Sequence, residues 1–273
     1  MIQEGTKLAV YGITDVGMVR DHNEDYIAWD PQMGLILLAD GMGGHNAGEV
    51  ASELAVNCIR EALLDVLTPN MLASNVINFA DALREAVVYA NDEIIRMAST
   101  RLECAGMGTT IVVQLYHGDR VIMASVGDSR IYRLRDRELT RLTTDHSLVQ
   151  EMLDNGYISE EEAQLSASRN LITRALGIAD TVEVDVLEET VQNGDVYLLC
   201  SDGLTDLVSD DEILQLLLLY ADDLDLASRE LVALANEKGG KDNVSIILVK
   251  LQEAYSDTVG LEADEEENSI GGG

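Results

Sequence analysis

Four aspartates stand where an apolar, strand-like run meets a turn: Asp40 after GLILLA, Asp128 after VIMASVG, Asp202 after VYLLCS, and Asp242, which instead leads into NVSIILV. Short carboxylates held at stiff strand ends are placed to converge on hard divalent cations, which prefer oxygen ligands. Asp242 precedes its strand while the other three follow theirs, so antiparallel pairing brings all four to one rim. Further polar segments accompany them. VRDHNED supplies Arg20, Asn23, Glu24 and Asp25, and DGMGG supplies Gly41, Gly43 and Gly44, which are expected to adopt positive φ and bring backbone close to a ligand. GTT at 108 to 110, GDSR at 127 to 130, SDGL at 201 to 204 and KDN at 241 to 243 complete the set. Each segment alone reads equally well as a solvated turn; their joint order points to a site.

The elements that must position these residues are legible from periodicity. Residues 7 to 13, 34 to 39, 109 to 116, 120 to 126, 130 to 134, 182 to 187, 195 to 200 and 244 to 250 are short runs rich in Val, Ile, Leu, Tyr and Thr, bounded by Gly, Asp and Asn. Several are apolar throughout, which demands cover on both faces. Residues 47 to 66 and 72 to 97 carry apolar stripes at helical spacing, and 211 to 220 with 224 to 237 read as a second helical pair, capped by Asp210 or Asp211 and by Asp223. An α+β fold follows, with two strand groups sandwiched between two helical pairs.

Composition narrows the chemistry. The chain has 273 residues, 47% of them hydrophobic, and a net charge of -32. No Pro/Gly/Ser-rich linker interrupts residues 1 to 250, so one domain is expected over 1-251, followed by an acidic, disordered tail over 252-273. Such a field repels nucleic acid and suits metal cations and basic protein segments. Cys58, Cys104 and Cys200 are odd in number and lack a CxxC, so a reducing, cytoplasmic setting is expected rather than a disulfide framework. The longest late apolar run is far too short for a membrane span.

The ordered set TDVGMVRDHNED, LADGMGGHNAGEVAS, GMGTT, SVGDSRIYRL, DHS, NLITRALG, LLCSDGL and GGKDNVS resembles the metal-dependent serine/threonine protein phosphatases of type 2C, in their bacterial branch. The resemblance runs from about residue 8 to 250. It implies a four-layer α-β-β-α sandwich of two antiparallel sheets flanked by helical pairs, with a mobile flap over 145 to 177. It also implies a centre of two Mn2+ or Mg2+ ions and a third beside it. By resemblance Asp40 bridges the pair, Gly41 lends its carbonyl oxygen, and Asp202 and Asp242 complete the ligands of the first metal. Glu24 and Asp25 act through water, and Asp128 shares the third ion with Asp202. Arg20 holds the substrate phosphate.

The implied reaction is in-line attack of a metal-bridging hydroxide on phosphoserine or phosphothreonine, with two cations about 3.5 to 4 Å apart. Arg20 offers a planar, permanently charged fork to the phosphoryl oxygens. Met42 stands where many eukaryotic members have a histidine, so proton delivery falls to His45 or to a water. Arg174 is a candidate substrate contact or else a structural ion pair. In the flap, SEEEA reads as a capped short helix, and Tyr157, Ser166 and Arg169 border the region open to substrate. Relatives carry His-Pro where this chain has Ser166 and Ala167. Expected partners are phosphorylated proteins, among them a Ser/Thr kinase and its targets, met by a monomer. Two other readings stay open: a non-enzymatic phosphoprotein-binding module of the same fold, and a hydrolase of another phosphoester.

Overall fold

The structure is a computed structural model and describes residues 6–44, 47–67, 77–164, 166, 168 and 170–253. Two antiparallel sheets lie face to face. One has the order β1 (Thr6–Asp15), β11 (Val244–Glu253), β10 (Val196–Cys200), β7 (Arg130–Arg135) and β8 (Glu138–Arg141). The other runs β2 (Asp25–Asp30), β3 (Leu35–Met42), β5 (Ile111–His117), β6 (Arg120–Val126) and β9 (Asp185–Thr190), with the short β4 (Gly108–Thr109) paired to the end of β3. Helices α1 (Ala47–Val66) and α2 (Phe79–Thr100) cover this second sheet. Two small helices, α3 (Leu148–Asp154) and α4 (Glu160–Gln164), lie in the flap, and α5 (Asp202–Thr205) follows β10. Helices α6 (Asp210–Leu219) and α7 (Leu224–Glu237) cover the first sheet.

The apolar runs that do not alternate now have a cause. Along β3, Leu35, Leu37 and Ala39 pack against Ile59, Leu83 and Val87 of the α1/α2 layer, whereas Ile36 and Leu38 face the opposite sheet beside Tyr197, Leu199 and Ile247. Along β10 and β11, Leu198, Cys200, Ile246 and Leu248 turn instead toward Ile213, Leu217 and Leu231 of α6 and α7. Strands buried on both faces need no polar side, and each fully buried aliphatic side chain contributes about 1.5 to 3 kcal/mol. The expected four layers are thus formed around three apolar interfaces.

Several details depart from the sequence expectation. β2 was not expected, because it pairs on one side only, with β3, and its DYIAWD keeps mixed exposure. β8 was missed because it is four half-exposed residues, tied to β7 by a two-residue turn in which Asp136 and Arg137 take φ of 51° and 66°. The strand expected at 182 to 187 begins at Asp185, since Val182 and Val184 pack into the α1/α2 layer before the ladder to β6 starts. Ser209, not Asp210 or Asp211, caps α6, through a capping box with Glu212. Asp223 caps α7 as expected, and Ser159 and Glu162 form the reciprocal bonds expected for SEEEA. Asn78 caps α2; residues 72 to 76 of the expected helix lie outside the described residues.

Candidate metal centre

The register of the strands carries the aspartates to one end of the sandwich. Asp25 opens β2 directly opposite Asp40 in β3, and Asp40 is followed by Gly41, paired with Thr109. From the other sheet, β10 ends at Cys200 against Ile246 of β11, so Asp202 leaves that ladder where Asp242 enters it. Asp128 follows β6 in the tight turn to β7.

Hydroxyl and amide groups lock this rim across the two sheets. Ser201 donates to Asp25 Oδ2 at 2.8 Å and accepts the amide of Ser245 at 3.0 Å, and both serines are fully buried. Thr110 accepts the amide of Asp40 through its hydroxyl, while its own amide donates to the Asp40 carbonyl at 2.8 Å. The Asn243 side chain holds the loop before β2 at three points: it accepts from the Glu24 amide and donates to the carbonyls of Val16 and His22. Gly41 lies against α1, where a Cβ would run into the carbonyl oxygens of Gly48 and Glu24. Gly41, Gly43 and Gly44 do not have positive φ, contrary to expectation. What the chain requires at Gly41 is space, not a left-handed backbone.

The electrostatics are those of crowded, desolvated carboxylates. Burial pushes Asp25 up to about 6, against hydrogen bonds from Ser245 and Ser201 that pull it down. Burial and then the charges of Asp25, Asp202, Asp128 and Asp242 hold Asp40 well above the usual carboxylate range. Asp202 is raised in the same way, by burial and then by Asp128 and Asp206, and Asp128 is pushed to about 6 by burial and Asp145. Glu24 Oε1, Asp25 Oδ1 and Asp128 Oδ1 are buried without a hydrogen-bond partner. Stranding such oxygens is costly, and a divalent cation would satisfy both the orphaned oxygens and the mutual repulsion. Among the described residues no three His, Cys, Asp or Glu side chains are grouped closely enough, as placed, to hold a metal ion. The donor set, all oxygen, suits Mn2+ or Mg2+.

Arg20 reaches this cluster: its Nη2 lies 2.7 Å from Asp242 Oδ2 and its Nη1 4.0 Å from Glu24 Oε2, while nearly half its side chain stays open to solvent. A cleft of about 390 Å3 opens beside Asp242, lined by Ser166 and Asn170 of the flap and by Gly203, Asp206, Leu207 and Lys241. Asp206 escaped the sequence reading. Its signal was the four-residue step from Asp202, which places both on one face of a helical turn; Asn170 donates to it at 2.7 Å. Arg174 pairs with Glu183 and Asp185, each at 3.1 Å, which accounts for its charge within the protein. His45 lies outside the described residues, as do Ala167 and Arg169.

The protein phosphatase 2C family model matches residues 19–234. The chain belongs to that family. It is 39% identical over 241 residues to the serine/threonine phosphatase Stp of Listeria monocytogenes, covering 87% of this chain and 93% of that protein. It is 40% identical over 235 residues to the serine/threonine protein phosphatase PstP of Mycobacterium tuberculosis, covering 86% of this chain and 43% of that longer protein. The crystal structure of the M. tuberculosis PstP superposes with a TM-score of 0.82 at 39% identity, over 90% of this chain and 99% of that one. The PstP catalytic domain solved with two manganese ions gives a TM-score of 0.79 at 37% identity, over the same shares. The layered fold is therefore that of the 2C phosphatases, and this family member is an enzyme, a phosphatase of the serine/threonine type with bacterial relatives.

Proposed function

We propose that this protein hydrolyses phosphoserine and phosphothreonine on proteins, using Mn2+ or Mg2+ held at the rim and opposing a Ser/Thr kinase. The observation that carries the reading is the convergence of Asp25, Asp40, Asp128, Asp202 and Asp242 from both sheets, with buried carboxylate oxygens left over for a cation. Asp40, the Gly41 carbonyl, Asp202 and Asp242 would hold the ions, with Glu24 and Asp25 supporting them, and Asp128 with Asp202 would serve a third. When bound, the cations acidify water for attack at phosphorus and offset charge on the phosphoryl oxygens.

The chain's own residues do the rest. Arg20, exposed at the mouth and anchored on Asp242, turns its free guanidinium N–H groups to the substrate phosphate and fixes it in line. Asn243 and Ser201 keep the loop before β2 and Asp25 from shifting as phosphate enters. The cleft beside Asp242 takes the peptide that carries the phosphate, with the flap as one wall. His45 delivers a proton to the leaving oxygen or binds substrate. The net charge of -32 favours substrates with basic residues near the phosphosite. The catalytic domain spans residues 1 to 251.

The test is phosphate release from a phosphothreonine peptide with manganese, with chelator, and with Asp40→Asn and Asp242→Asn. Activity that needs metal and is lost in both variants, while the fold is kept, supports the reading. Turnover that survives exhaustive chelation overturns it.

A further inference from the structure

Two segments 19 residues apart in the chain are fastened to each other beside Asp128. The Gly127 amide donates to His146 Nδ1 at 3.0 Å, and the His146 amide donates to the Gly127 carbonyl at 2.9 Å. Arg130 closes the clasp with a two-pronged pair to Asp145, Nε to Oδ1 at 3.0 Å and Nη2 to Oδ2 at 2.6 Å. Gly127 has little other freedom: its φ is 106°, and a Cβ there would stand 2.6 Å from the Thr110 side chain. Asp128 is thus carried on a turn pressed from one side by Thr110 and gripped from the other by His146.

The ring of His146 is 7% exposed, and both of its nitrogens are engaged. Because Nδ1 accepts the Gly127 amide, a neutral ring carries its proton on Nε2. Nε2 lies 3.2 Å from Asp185 Oδ2 and 3.1 Å from Arg174 Nη1. An N–H cannot accept from a guanidinium, so the proton goes to Asp185, and Arg174 binds the other oxygen of the same carboxylate at 3.1 Å. A carboxylate that fixes a histidine tautomer, which in turn orients a ligand, is a recurring device in metal sites. Here the histidine orients a backbone amide one residue from the ligand. His146 also stands at the root of the flap, for its carbonyl accepts from the Thr173 amide at 2.8 Å and Ser147 bridges to Ile172.

We propose that His146 is a positioning residue for Asp128, with Asp185 setting its tautomer, so that the flap's root and the third-ion carboxylate move as one body. The proposal rests on the reading that Asp128 serves the reaction. It requires an acceptor at the Nδ1 position, and that requirement separates two amide variants of similar polarity. In His146→Asn the side-chain oxygen falls where Nδ1 was; in His146→Gln the amide reaches toward the Nε2 position and the Gly127 amide is left without its partner.

The experiment compares these variants with Asp128→Ala and with Asp185→Ala, whose side chain is half-exposed. Turnover on a phosphothreonine peptide is measured beside the manganese binding isotherm and the amide resonance of Gly127. His146→Gln is expected to lower kcat and the manganese affinity of the third-ion site by about 10-fold or more, as loss of a ligand-orienting partner typically does, with KM nearly unchanged. His146→Asn should recover most of both, and Asp185→Ala should show a smaller loss in the same direction. The Gly127 resonance should shift in Gln and stay near its wild-type position in Asn. Equal behaviour of Asn and Gln, or losses that merely follow the melting temperature, overturns the positioning role. Wild-type turnover in Asp128→Ala would instead bring down the underlying reading, and the Gly127 resonance would then decide the clasp without reference to activity.

Discussion

Metal-free protein should lose stability as pH rises through the range in which its rim carboxylates ionise, and Asp25→Asn isolates one of them. Asp25 is raised by burial from 3.8 to about 6. A carboxyl whose folded value exceeds its unfolded value stabilises the fold fully below the unfolded value, and that contribution fades as pH climbs through the folded one. The window is therefore about pH 4 to 6. A shift of roughly 2 units corresponds to about 3 kcal/mol, or roughly 6 to 12 °C in melting temperature for a domain of this size. Asn cannot ionise and can still accept from Ser201, so the wild-type minus Asp25→Asn difference cancels the background field of the other charges. Melts in chelator from pH 4 to 8 should show wild type falling relative to the variant by about that amount. Saturating manganese should abolish the fall, because the cation takes over from the proton. A difference that stays flat across this range, or that slopes the other way, refutes the account of the rim as a strained acidic cluster.

Arg20→Ala should raise KM for a phosphothreonine peptide by roughly 10- to 100-fold, the worth of a charge-assisted bond, with manganese affinity little changed; calorimetry showing lost metal would move Arg20 into the metal-holding frame. Gly41→Ala should cost about 1 to 3 kcal/mol in urea unfolding, since its Cβ meets the Gly48 carbonyl, and an unchanged midpoint would mean that α1 gives way freely. Truncation after Glu253 should leave melting and peptide hydrolysis intact, whereas removal from Leu248 onward should abolish folding by stripping Leu248, Val249 and Leu251 from two apolar interfaces; circular dichroism separates the two.

The sequence showed its long elements plainly and its joints poorly. The stripe of 47 to 66 matches α1 at both ends, because helix periodicity repeats over five turns. β2 and β8 give no comparable signal, since an edge strand with one partner need not alternate and four residues are too few to show a period. At the site, Asp40, Asp128, Asp202 and Asp242 stood out as charged residues breaking apolar runs. Asn243, Ser201 and Thr110 did not, because small polar residues in turns are common and their worth comes from partners up to 227 residues away. The reach from Arg174 to Asp185 and the tie between Gly127 and His146 were hidden for the same reason.

β1 and β10 meet only through β11, which lies between them and pairs Thr6 with Glu253 and Asp15 with Val244. On a ribosome the first of these strands waits for the last before it gains a hydrogen-bonded strand partner, and Asn243, which grips the loop carrying Arg20, arrives just ahead of that last strand. Translation takes on the order of 5 to 20 residues per second, so the N-terminal strand stays unpaired for over ten seconds while nearly the whole chain is made. Phosphatase activity is therefore expected in one step when β11 inserts, with none from a nascent or prematurely released fragment.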